Sequence, residues 1–233
     1  KTRDDKLNYF SESIQFLIDE IYNTPSGANM DGHPVIFLFG GGPNAGEMKN
    51  ILQKEYSYPD GLKEPYYIRR TPLNATHNNG TVTFSNPATT VQDWLNAGVD
   101  VHSWIVSRTR PMDDNFPYFD SYATFDDVKN YAQTYKQLWE QGKKVNVNTA
   151  VVTPGFDNRG CAAWGQGKFH GFDREDGEVY RWQWDFFNQN KNLIDVMFIA
   201  SWSDFTEGHE IEPTVKNGYR EIETTLEYAT EFR

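Results

Sequence analysis

The chain has 233 residues, with 22 Lys and Arg against 33 Asp and Glu, and a formal net charge of −11 at pH 7. This sign argues against a nucleic-acid-binding protein, because a protein that neutralises phosphates presents a basic face. No apolar run approaches the roughly 18–20 residues that a membrane-spanning helix needs. The single cysteine, Cys161, excludes an internal disulfide and a zinc ribbon. We expect one domain rather than two from this length.

The first 90 residues predict two helices, one buried strand and a long loop. Apolar residues recur at helical spacing over 8–21. The continuous apolar run 34–39 predicts a strand that is buried on both faces, and three glycines separate it from a helix through Met48 and Leu52. Residues 56–90 are rich in Pro, Asn, Gly and Thr and predict a loop with one strand near 81–84. Loops of this length inside a compact domain are often functional.

From residue 91 onward, strands and helices alternate regularly. Helices are predicted at 91–96, 125–141, 175–190 and 218–232, and strands at 99–106, 145–152 and 196–202. Strands followed by long polar loops and helices are typical of parallel βα units. With the run at 34–39 this pattern makes four units, whereas a (β/α)8 barrel needs eight and about 250 residues. The sequence alone therefore predicts an α/β fold, either half of such a barrel or another kind of sheet.

The segment after the last predicted strand is the richest in candidate chemistry. Four carboxylates follow the strand, at Asp204, Glu207, Glu210 and Glu212. The C-terminal ends of parallel strands carry the active sites of α/β folds, and two carboxylates three residues apart can converge on one bound group as acid and base. Trp202 and Phe205 would supply a stacking wall and an apolar surround that raises a carboxyl pKa. A solvated acidic loop in an acidic protein is the alternative interpretation.

A second candidate segment, residues 153–160, follows the strand predicted at 145–152. Pro154 and Gly155 predict a turn there. Asp157 and Arg159 offer hydrogen bonds to the hydroxyls of a polyol. The alternative is that Asp157 only caps the turn.

A nucleotide site is the first competing interpretation. The segment Gly40–Ala45 matches the G-x-G-x-x-A dinucleotide fingerprint between a strand and a helix. However, Pro43 lacks the N–H that the phosphate cradle would use, and residues 56–90 supply no compact βαβ unit. The sequence therefore argues against a dinucleotide site.

A metal site is the second competing interpretation. His209 and Glu210 begin like the zinc motif H-E-x-x-H, but Glu212 and Pro213 stand where the second histidine is needed. The other histidines are scattered along the chain. The sequence predicts no metal and no cofactor.

Taken together, the two polar segments resemble the C-terminal part of the glycoside hydrolase family 71 and 99 group. In that group a PGFD loop, a helix and a strand leading into an S-F-N-E-W-x-E-G-x-x-I-E-P type of motif follow one another. The matching parts here are 154–157, the helix around 180–187, 201–208 and 211–213. The resemblance is carried by residues 145–233. It implies that residues 1–233 form a single catalytic domain, the C-terminal half of a (β/α)8 barrel.

The same resemblance implies a numbering of strands and an assignment of roles. Strands five to eight would open at Val35, Val99, Val145 and Val196, and strands one to four would lie in an N-terminal half outside this chain. Family-99 enzymes cleave α-mannosidic bonds, and family 71 cleaves α-1,3-glucan. The second carboxylate of the family-99 motif is the acid/base and corresponds to Glu207. The first takes the proton of the 2-hydroxyl on the way to an anhydro-sugar and corresponds to Asp204.

The sequence departs from the family-99 motif next to these carboxylates. Asp204 replaces a Glu, Ser203 an Asn and Phe205 a Trp. An Asp reaches about 1.5 Å less than a Glu, which leaves ordinary two-carboxylate hydrolysis as an alternative to the anhydro-sugar route. An Asp here is closer to the family-71 pattern.

We therefore expect a secreted or periplasmic glycoside hydrolase of polysaccharide degradation, acting on α-mannan or α-glucan types of oligo- or polysaccharide. Catalysis is assigned to Glu207 and Asp204. The expected substrate-binding residues are Trp202, Phe205, His209, Glu212, Asp157 and Arg159. No nucleic-acid partner, membrane span, metal or cofactor is expected. The alternative function is a non-catalytic glycan-binding protein on the same scaffold, which the altered residues 203–205 favour.

Overall fold

The computed structural model describes residues 2–71, 73–85, 88–106, 108–165 and 167–232. The helices are α1 (Arg3–Phe16), α2 (Ala45–Leu52), α3 (Ala88–Asn96), α4 (Phe125–Glu140), α5 (Glu178–Gln189) and α6 (Arg220–Glu231). The strands are β1 (Asn29–Met30), β2 (His33–Leu38), β3 (Tyr66–Arg70), β4 (Asn74–Asn78), β5 (Thr81–Ser85), β6 (Val99–His102), β7 (Arg110–Pro111), β8 (Ser121–Tyr122), β9 (Thr149–Val152), β10 (Phe156–Asp157), β11 (His170–Phe172) and β12 (Val196–Ile199).

The chain divides into two compact units. The first consists of Lys1–Thr71, Pro87–His102 and Lys143–Val147, and the second of Pro72–Asn86, Ser103–Gly142 and Asn148–Arg233. The chain crosses between the units several times, so each unit is built from separate stretches of sequence. The single catalytic domain stays a prediction.

The first unit is a small α/β layer. Its sheet has the order β1-β2-β3-β6, in which β2, β3 and β6 are parallel and β1 is antiparallel to β2. Helices α1, α2 and α3 supply the apolar side chains that cover it, and the core includes Ile14, Ile18, Met48, Tyr67 and Val99, each at most 2% exposed. The α1 helix continues as a π-helix over Leu17–Tyr22.

Strand β3 overturns the prediction for residues 56–90. This stretch was expected to be a loop with one strand, yet it holds β3, β4 and β5. Tyr67 of β3 pairs with Val99, and the strand lies between β2 and β6. The count of four βα units was therefore wrong, and the numbering of strands five to eight at Val35, Val99, Val145 and Val196 is not supported.

Strand β9 begins later than predicted because its first residues have other partners. The buried carboxylate of Asp100 accepts hydrogen bonds from the amides of Val145, Asn146 and Val147, at 2.6, 3.0 and 3.1 Å. These amides are satisfied by a side chain rather than by a neighbouring strand. Strand pairing starts at Thr149, which lies opposite Val196.

The N-terminus of α2 has no free place for a phosphate. Helix α2 joins the parallel strands β2 and β3, so a βαβ unit does follow the Gly40–Ala45 fingerprint, contrary to the sequence prediction. However, the Glu47 carboxylate accepts the Asn44 amide at 2.8 Å, and the Asn44 side chain accepts the Glu47 amide at 2.9 Å. Arg3 also binds this carboxylate. A negative charge thus already caps the helix where a phosphate would bind.

The second unit contains the strands that lead to the candidate site. Strands β9 and β12 are parallel neighbours, and β10-β11-β8-β7 form a second small sheet. The predicted helices at 125–141, 175–190 and 218–232 are confirmed as α4, α5 and α6. Helix α5 packs on β9 and against α4 and α6. The core of this unit includes Tyr135, Val152, Val179, Tyr180 and Trp184, each at most 2% exposed.

Within the described ranges, the strands pair into separate sheets and no closed barrel is present. The fold is mixed α/β with five strands in parallel βα arrangement, β2, β3, β6, β9 and β12. No helix in the described part of the chain has the length and apolarity that a membrane crossing requires.

Candidate active site

The site lies on the loop that follows β12. The Ala200 amide donates to the Val152 carbonyl, which extends the pairing of β12 with β9 by one residue. The loop then closes on itself, because the Ser201 amide donates to the His209 carbonyl and the Ile211 amide donates to the Ser201 carbonyl, both at 2.9 Å. The residues between these contacts are thereby held as a compact turn at the end of β12, a partly buried strand.

Asp204, Glu207 and His209 converge within this turn. One side-chain atom from each lies within 4.8 Å of the others. The His209 Nε2 atom is 3.3 Å from Glu207 Oε2 and 3.5 Å from Asp204 Oδ2. The two carboxylate side chains are 35% and 38% exposed, whereas the histidine side chain is 3% exposed. The carboxylates can therefore reach a bound molecule from solvent.

Asp204 is further held by its own loop. Its Oδ1 atom accepts hydrogen bonds from the Thr206 hydroxyl at 2.8 Å and from the Glu207 amide at 3.1 Å. The Asp204 amide donates to the Ser201 hydroxyl. Because Oδ1 is used in this way, Oδ2 is the oxygen of Asp204 that faces His209 and the neighbouring carboxylate.

His209 lies in an aromatic pocket. Its ring stacks on Phe156, with centroids 5.8 Å apart and planes 11° apart, and it meets the edge of Trp104 at 6.3 Å. Its Nδ1 atom is buried and has no hydrogen-bond partner among the described residues. The structure places Nε2 of this ring next to the partly exposed carboxylates of Asp204 and Glu207. The substrate-binding role of His209 stays a prediction.

Asp157 and Arg159 lie against the same turn, as the two polar segments of the sequence suggested. The Asp157 amide donates to the Glu207 carbonyl at 2.8 Å. Arg159 Nε donates to Asp157 Oδ1 at 2.9 Å, and the Arg159 amide donates to the same oxygen at 3.1 Å. Burial raises the pKa of Asp157, but the hydrogen bonds from Arg159 outweigh it and leave this pKa below its usual value. Asp157 thus caps the turn and also carries a charge pair at the site.

The remaining predicted binding residues lie on the loop after β12. Trp202 and Phe205 are 54% and 55% exposed, which is unusual for side chains of this size. Glu212 is partly buried, and its amide donates to the Trp202 carbonyl at 2.9 Å. These three positions stay predicted contacts of a ligand.

Glu210, the third carboxylate of the segment, is part of a buried ion-pair network. It pairs with Arg174 at 2.7 Å, and Arg174 also pairs with Glu221 at 3.0 Å. Glu210 and Glu221 are 8% and 3% exposed. Arg174 further donates to the carbonyls of Gly208 and Glu210, both at 3.1 Å. This buried network fixes the end of the loop, and it separates Glu210 from the exposed pair.

The sequence analysis did not identify the buried residues near the Asp204–Glu207 pair. His170 is 6% exposed and stacks on Phe156 at 5.6 Å, and its amide donates to the Asn158 side chain. Burial lowers the pKa of His170 to about 4, and the charge of Arg108 acts in the same direction. The PGFD motif contains Phe156, which would have been the signal for a packed ring at this position.

The three converging side chains are also chemically suited to a cation. Histidine nitrogen and carboxylate oxygen are common zinc ligands, and Asp204, Glu207 and His209 are near enough to one another to share an ion. The prediction of a metal-free site stays a prediction.

Comparison with solved structures supports the fold described above. The family model described as glycosyltransferase WbsX matches residues 1–225, and no curated protein sequence matches the chain. Two structures of the GH99 endo-α-mannosidase from Bacteroides thetaiotaomicron are similar, with TM-scores of 0.66 and 0.63 and identities of 15% and 16%. A structure described as a glycoside hydrolase-like protein has a TM-score of 0.62 and 14% identity.

These likenesses cover 98% of this chain and 62%, 66% and 63% of the three other chains. The chain thus spans just under two thirds of the length of the similar structures. At these identities the likeness establishes the fold, and it confirms the resemblance to family 99 that the sequence motifs indicated. The match over 1–225 shows the family: the chain belongs to the WbsX glycosyltransferase family.

Proposed function

We propose that this chain carries the catalytic carboxylates of a glycoside hydrolase that acts on α-linked glycans of the α-mannan or α-glucan type. The observation that carries the proposal is the Asp204–Glu207 pair. Both side chains are about one third exposed on the loop after the parallel strand β12, with one oxygen of each within 4.8 Å of the other. Two carboxylates at one sugar are the usual machinery of glycoside hydrolysis.

In the proposed mechanism, Glu207 is the general acid. It donates its proton to the glycosidic oxygen as the bond to the anomeric carbon breaks, and the leaving sugar departs as an alcohol. Asp204 assists on the other side in one of two ways: it accepts the proton of the 2-hydroxyl while the 2-oxygen bonds to the anomeric carbon, or its own oxygen bonds to that carbon. Glu207, now a carboxylate, then accepts a proton from a water that attacks the anomeric carbon and breaks its new bond to the 2-oxygen or to Asp204. In the first route Asp204 returns its proton to the 2-oxygen.

Retention of anomeric configuration is part of the proposal. Retaining enzymes place their carboxyl groups about 5–5.5 Å apart, and inverting enzymes leave about 6.5–9.5 Å for a water. One oxygen of Asp204 lies within 4.8 Å of one oxygen of Glu207, a close approach that suits the retaining arrangement. Both routes open to Asp204 give this stereochemical outcome.

The residues around the pair suit a carbohydrate. Trp202 and Phe205 expose flat aromatic faces on the same loop, and aromatic rings bring large contact area with few rotatable bonds. The Asp157–Arg159 pair and Glu212 supply hydrogen-bond groups for sugar hydroxyls. We assign substrate binding to these residues.

The proposal extends to architecture and location. We propose that the parallel strands β2, β3, β6, β9 and β12 belong to the C-terminal part of a (β/α)8 barrel, which the similarity to GH99 structures supports. The pair then follows a barrel strand at the face where such enzymes carry their sites. A polymeric glycan is met outside the cell, so we propose a secreted or periplasmic protein of polysaccharide degradation.

The test is release of reducing sugar from a panel of α-mannans and α-glucans, with Glu207→Gln beside the wild type. Loss of a general acid lowers kcat/KM by about 10²–10⁴-fold. Glu223→Gln, an exposed carboxylate on α6, is the matched control and should keep wild-type activity. If Glu207→Gln kept kcat/KM within a few-fold of wild type, the acid role would be wrong. Chromatography of the products distinguishes hydrolysis from transfer to an acceptor sugar. This distinction matters because the matching family is described as a glycosyltransferase family.

A non-catalytic glycan-binding protein is the second candidate. The departure of residues 203–205 from the family-99 motif favours it, since Asp204 is shorter than the usual Glu and its Oδ1 is engaged by Thr206. This function predicts binding of α-glycans by calorimetry without release of sugar. It also predicts that Asp204→Asn changes the Kd little, whereas a hydrolase would lose kcat.

A further inference from the structure

The position of His209 is fixed by main chain and side chain together. The His209 carbonyl accepts the Ser201 amide at 2.9 Å, and the His209 amide donates to the Asp204 carbonyl at 3.4 Å. Its ring packs flat on Phe156 and against the edge of Trp104. The imidazole is therefore a rigid element of the loop that carries the carboxylates.

The surroundings of its two nitrogens determine which one carries the proton. Nε2 faces Glu207 Oε2 at 3.3 Å and Asp204 Oδ2 at 3.5 Å. An ionised carboxylate only accepts hydrogen bonds, and a protonated carboxyl group still accepts at the oxygen that carries no proton. Nδ1 is buried in the aromatic pocket, with no hydrogen-bond partner among the residues that the structure describes. An N–H at Nδ1 would be a buried unsatisfied donor, which costs about 1–3 kcal/mol. The proton therefore lies on Nε2, between Asp204 and Glu207.

We propose that His209 is a positioning residue whose Nε2–H is shared by Glu207 and Asp204 and sets the distance between them. The inference rests on the proposed hydrolytic function and deepens it. Glu207 is about one third exposed, so its flexible side chain would rotate freely without a fixed donor. Because a displacement of about 1 Å between reacting groups can lower the rate about 10²-fold, a donor held by a rigid ring has a direct effect on the chemical step.

Because His209 is buried, it has a positioning role and does not contact the sugar directly. His209 is 2% exposed, its ring stacks on Phe156, and it makes a T-shaped contact with Trp104. The two carboxylates next to Nε2 are far more exposed than the imidazole. His209 thus acts on a substrate through Glu207 and Asp204.

Two substitutions at this position test the inference. His209→Phe keeps an aromatic ring in the pocket and removes the donor, whereas His209→Gln keeps an N–H at the ε position. We expect His209→Phe to lower kcat about 10- to 100-fold with KM changed less than about threefold. His209→Gln should recover most of the lost kcat. His77→Phe, at an exposed position on β4, is the matched control and should leave both constants unchanged.

The results that overturn the inference are equally specific. A rise in KM with kcat unchanged in His209→Phe would indicate direct contact with the substrate. Wild-type kcat in His209→Phe, or equal losses in the Phe and Gln variants, would show that the donor does not set the geometry.

A second measurement does not depend on turnover. Nitrogen-15 chemical shifts of the His209 ring in the wild-type protein report which nitrogen is protonated. Protonated Nε2 with bare Nδ1 at neutral pH supports the inference, and a protonated Nδ1 overturns it. If the wild type releases no sugar, the proposed function fails, and the ring shifts still decide whether His209 donates to the carboxylates.

Discussion

Asp157 donates its amide hydrogen to the carbonyl oxygen of Glu207 over 2.8 Å. The bond joins the loop after β9 to the loop after β12, and glycines allow the two main chains to meet. A Cβ atom on Gly160 would lie 2.7 Å from the Thr206 carbonyl oxygen, and one on Gly208 would lie 3.1 Å from Asp157 Cβ. The main chain that carries Glu207 is thus positioned by direct contact with the PGFD loop.

Gly160→Ala should therefore disturb the site without touching a catalytic group. The added methyl must push away the main chain at Thr206, next to Glu207, because the nearest atom is a carbonyl oxygen at 2.7 Å. We expect a loss of about 1–3 kcal/mol in the free energy of unfolding, with a fall in kcat/KM. Urea denaturation and sugar-release assays measure the two effects.

The control for this substitution is Gly167→Ala. A Cβ at Gly167 would meet no atom within 4 Å, so its free energy of unfolding should stay within about 0.5 kcal/mol of wild type. Equal behaviour of the two variants would show that close contact between the loops is unimportant.

Arg174 should be a determinant of stability. Its side chain is 13% exposed and pairs with Glu210 and Glu221, which are buried. Arg174→Met would leave Glu210 without its cation, whereas Glu221 would keep its ion pair with Arg220 at 2.7 Å. Removal of one partner from a buried ion pair costs about 3–5 kcal/mol. Chemical denaturation measures this loss.

The comparison for Arg174 is Lys136→Met on α4. Lys136 pairs with Glu140 at 3.5 Å on an exposed helix surface, and such a pair contributes about 0.2–0.5 kcal/mol. If Arg174→Met destabilised the protein no more than Lys136→Met, the network around Glu210 would not hold the loop.

The sequence predicts the elements of the second unit well because their signals are local. A buried apolar strand, a polar loop and an amphipathic helix each show in their own residues, and the Asp204–Glu207 pair follows its strand directly. Strand β3 was missed because it ends in Arg69 and Arg70, which resemble a polar loop. Their burial depends on tertiary contacts: the Arg69 guanidinium lies 5.2 Å from the Trp94 ring and the Arg70 guanidinium 4.8 Å from the Phe39 ring.

The division of labour among the carboxylates could not be predicted from their own segment. Glu207 and Glu210 are both glutamates of the loop after β12. They differ because Arg174, from a different loop, neutralises Glu210. The same holds for His209, whose buried pocket is built by Phe156 and Trp104 from other parts of the chain. Motif and spacing identify the loop, but tertiary packing decides which acid is exposed.

Trp202 should contribute to substrate binding rather than to chemistry. It is 54% exposed on the loop that carries Asp204 and Glu207, so its face is available to a sugar ring. We expect Trp202→Ala to raise KM about 5- to 10-fold with little change in kcat, which corresponds to about 1–1.4 kcal/mol of binding free energy. Tyr219→Ala, at a position that is 66% exposed and precedes α6, should leave KM unchanged. An unchanged KM in Trp202→Ala would remove Trp202 from the binding site.

His170 should make stability depend on pH in the mildly acidic range. Burial lowers the pKa of His170 to about 4, with Arg108 lowering it further and the negative charges of Glu207 and Asp120 opposing this shift. In the folded chain its ring is neutral above that pH. In the unfolded chain the same ring takes up a proton below its ordinary pKa of about 6.5.

Between these two values the unfolded state binds more protons, so the free energy of unfolding falls as the pH falls. The loss attributable to His170 should be about 2 kcal/mol between about pH 7 and about pH 5, and about 3 kcal/mol once the pH is below both pKa values. Urea denaturation at the two pH values, in wild type and His170→Gln, isolates this contribution because all other titrating groups are common to both proteins. The decrease in stability should be smaller by about 2 kcal/mol in the variant. Equal decreases would mean that His170 is as easily protonated in the folded chain as in the unfolded one, which its burial against Phe156 should prevent.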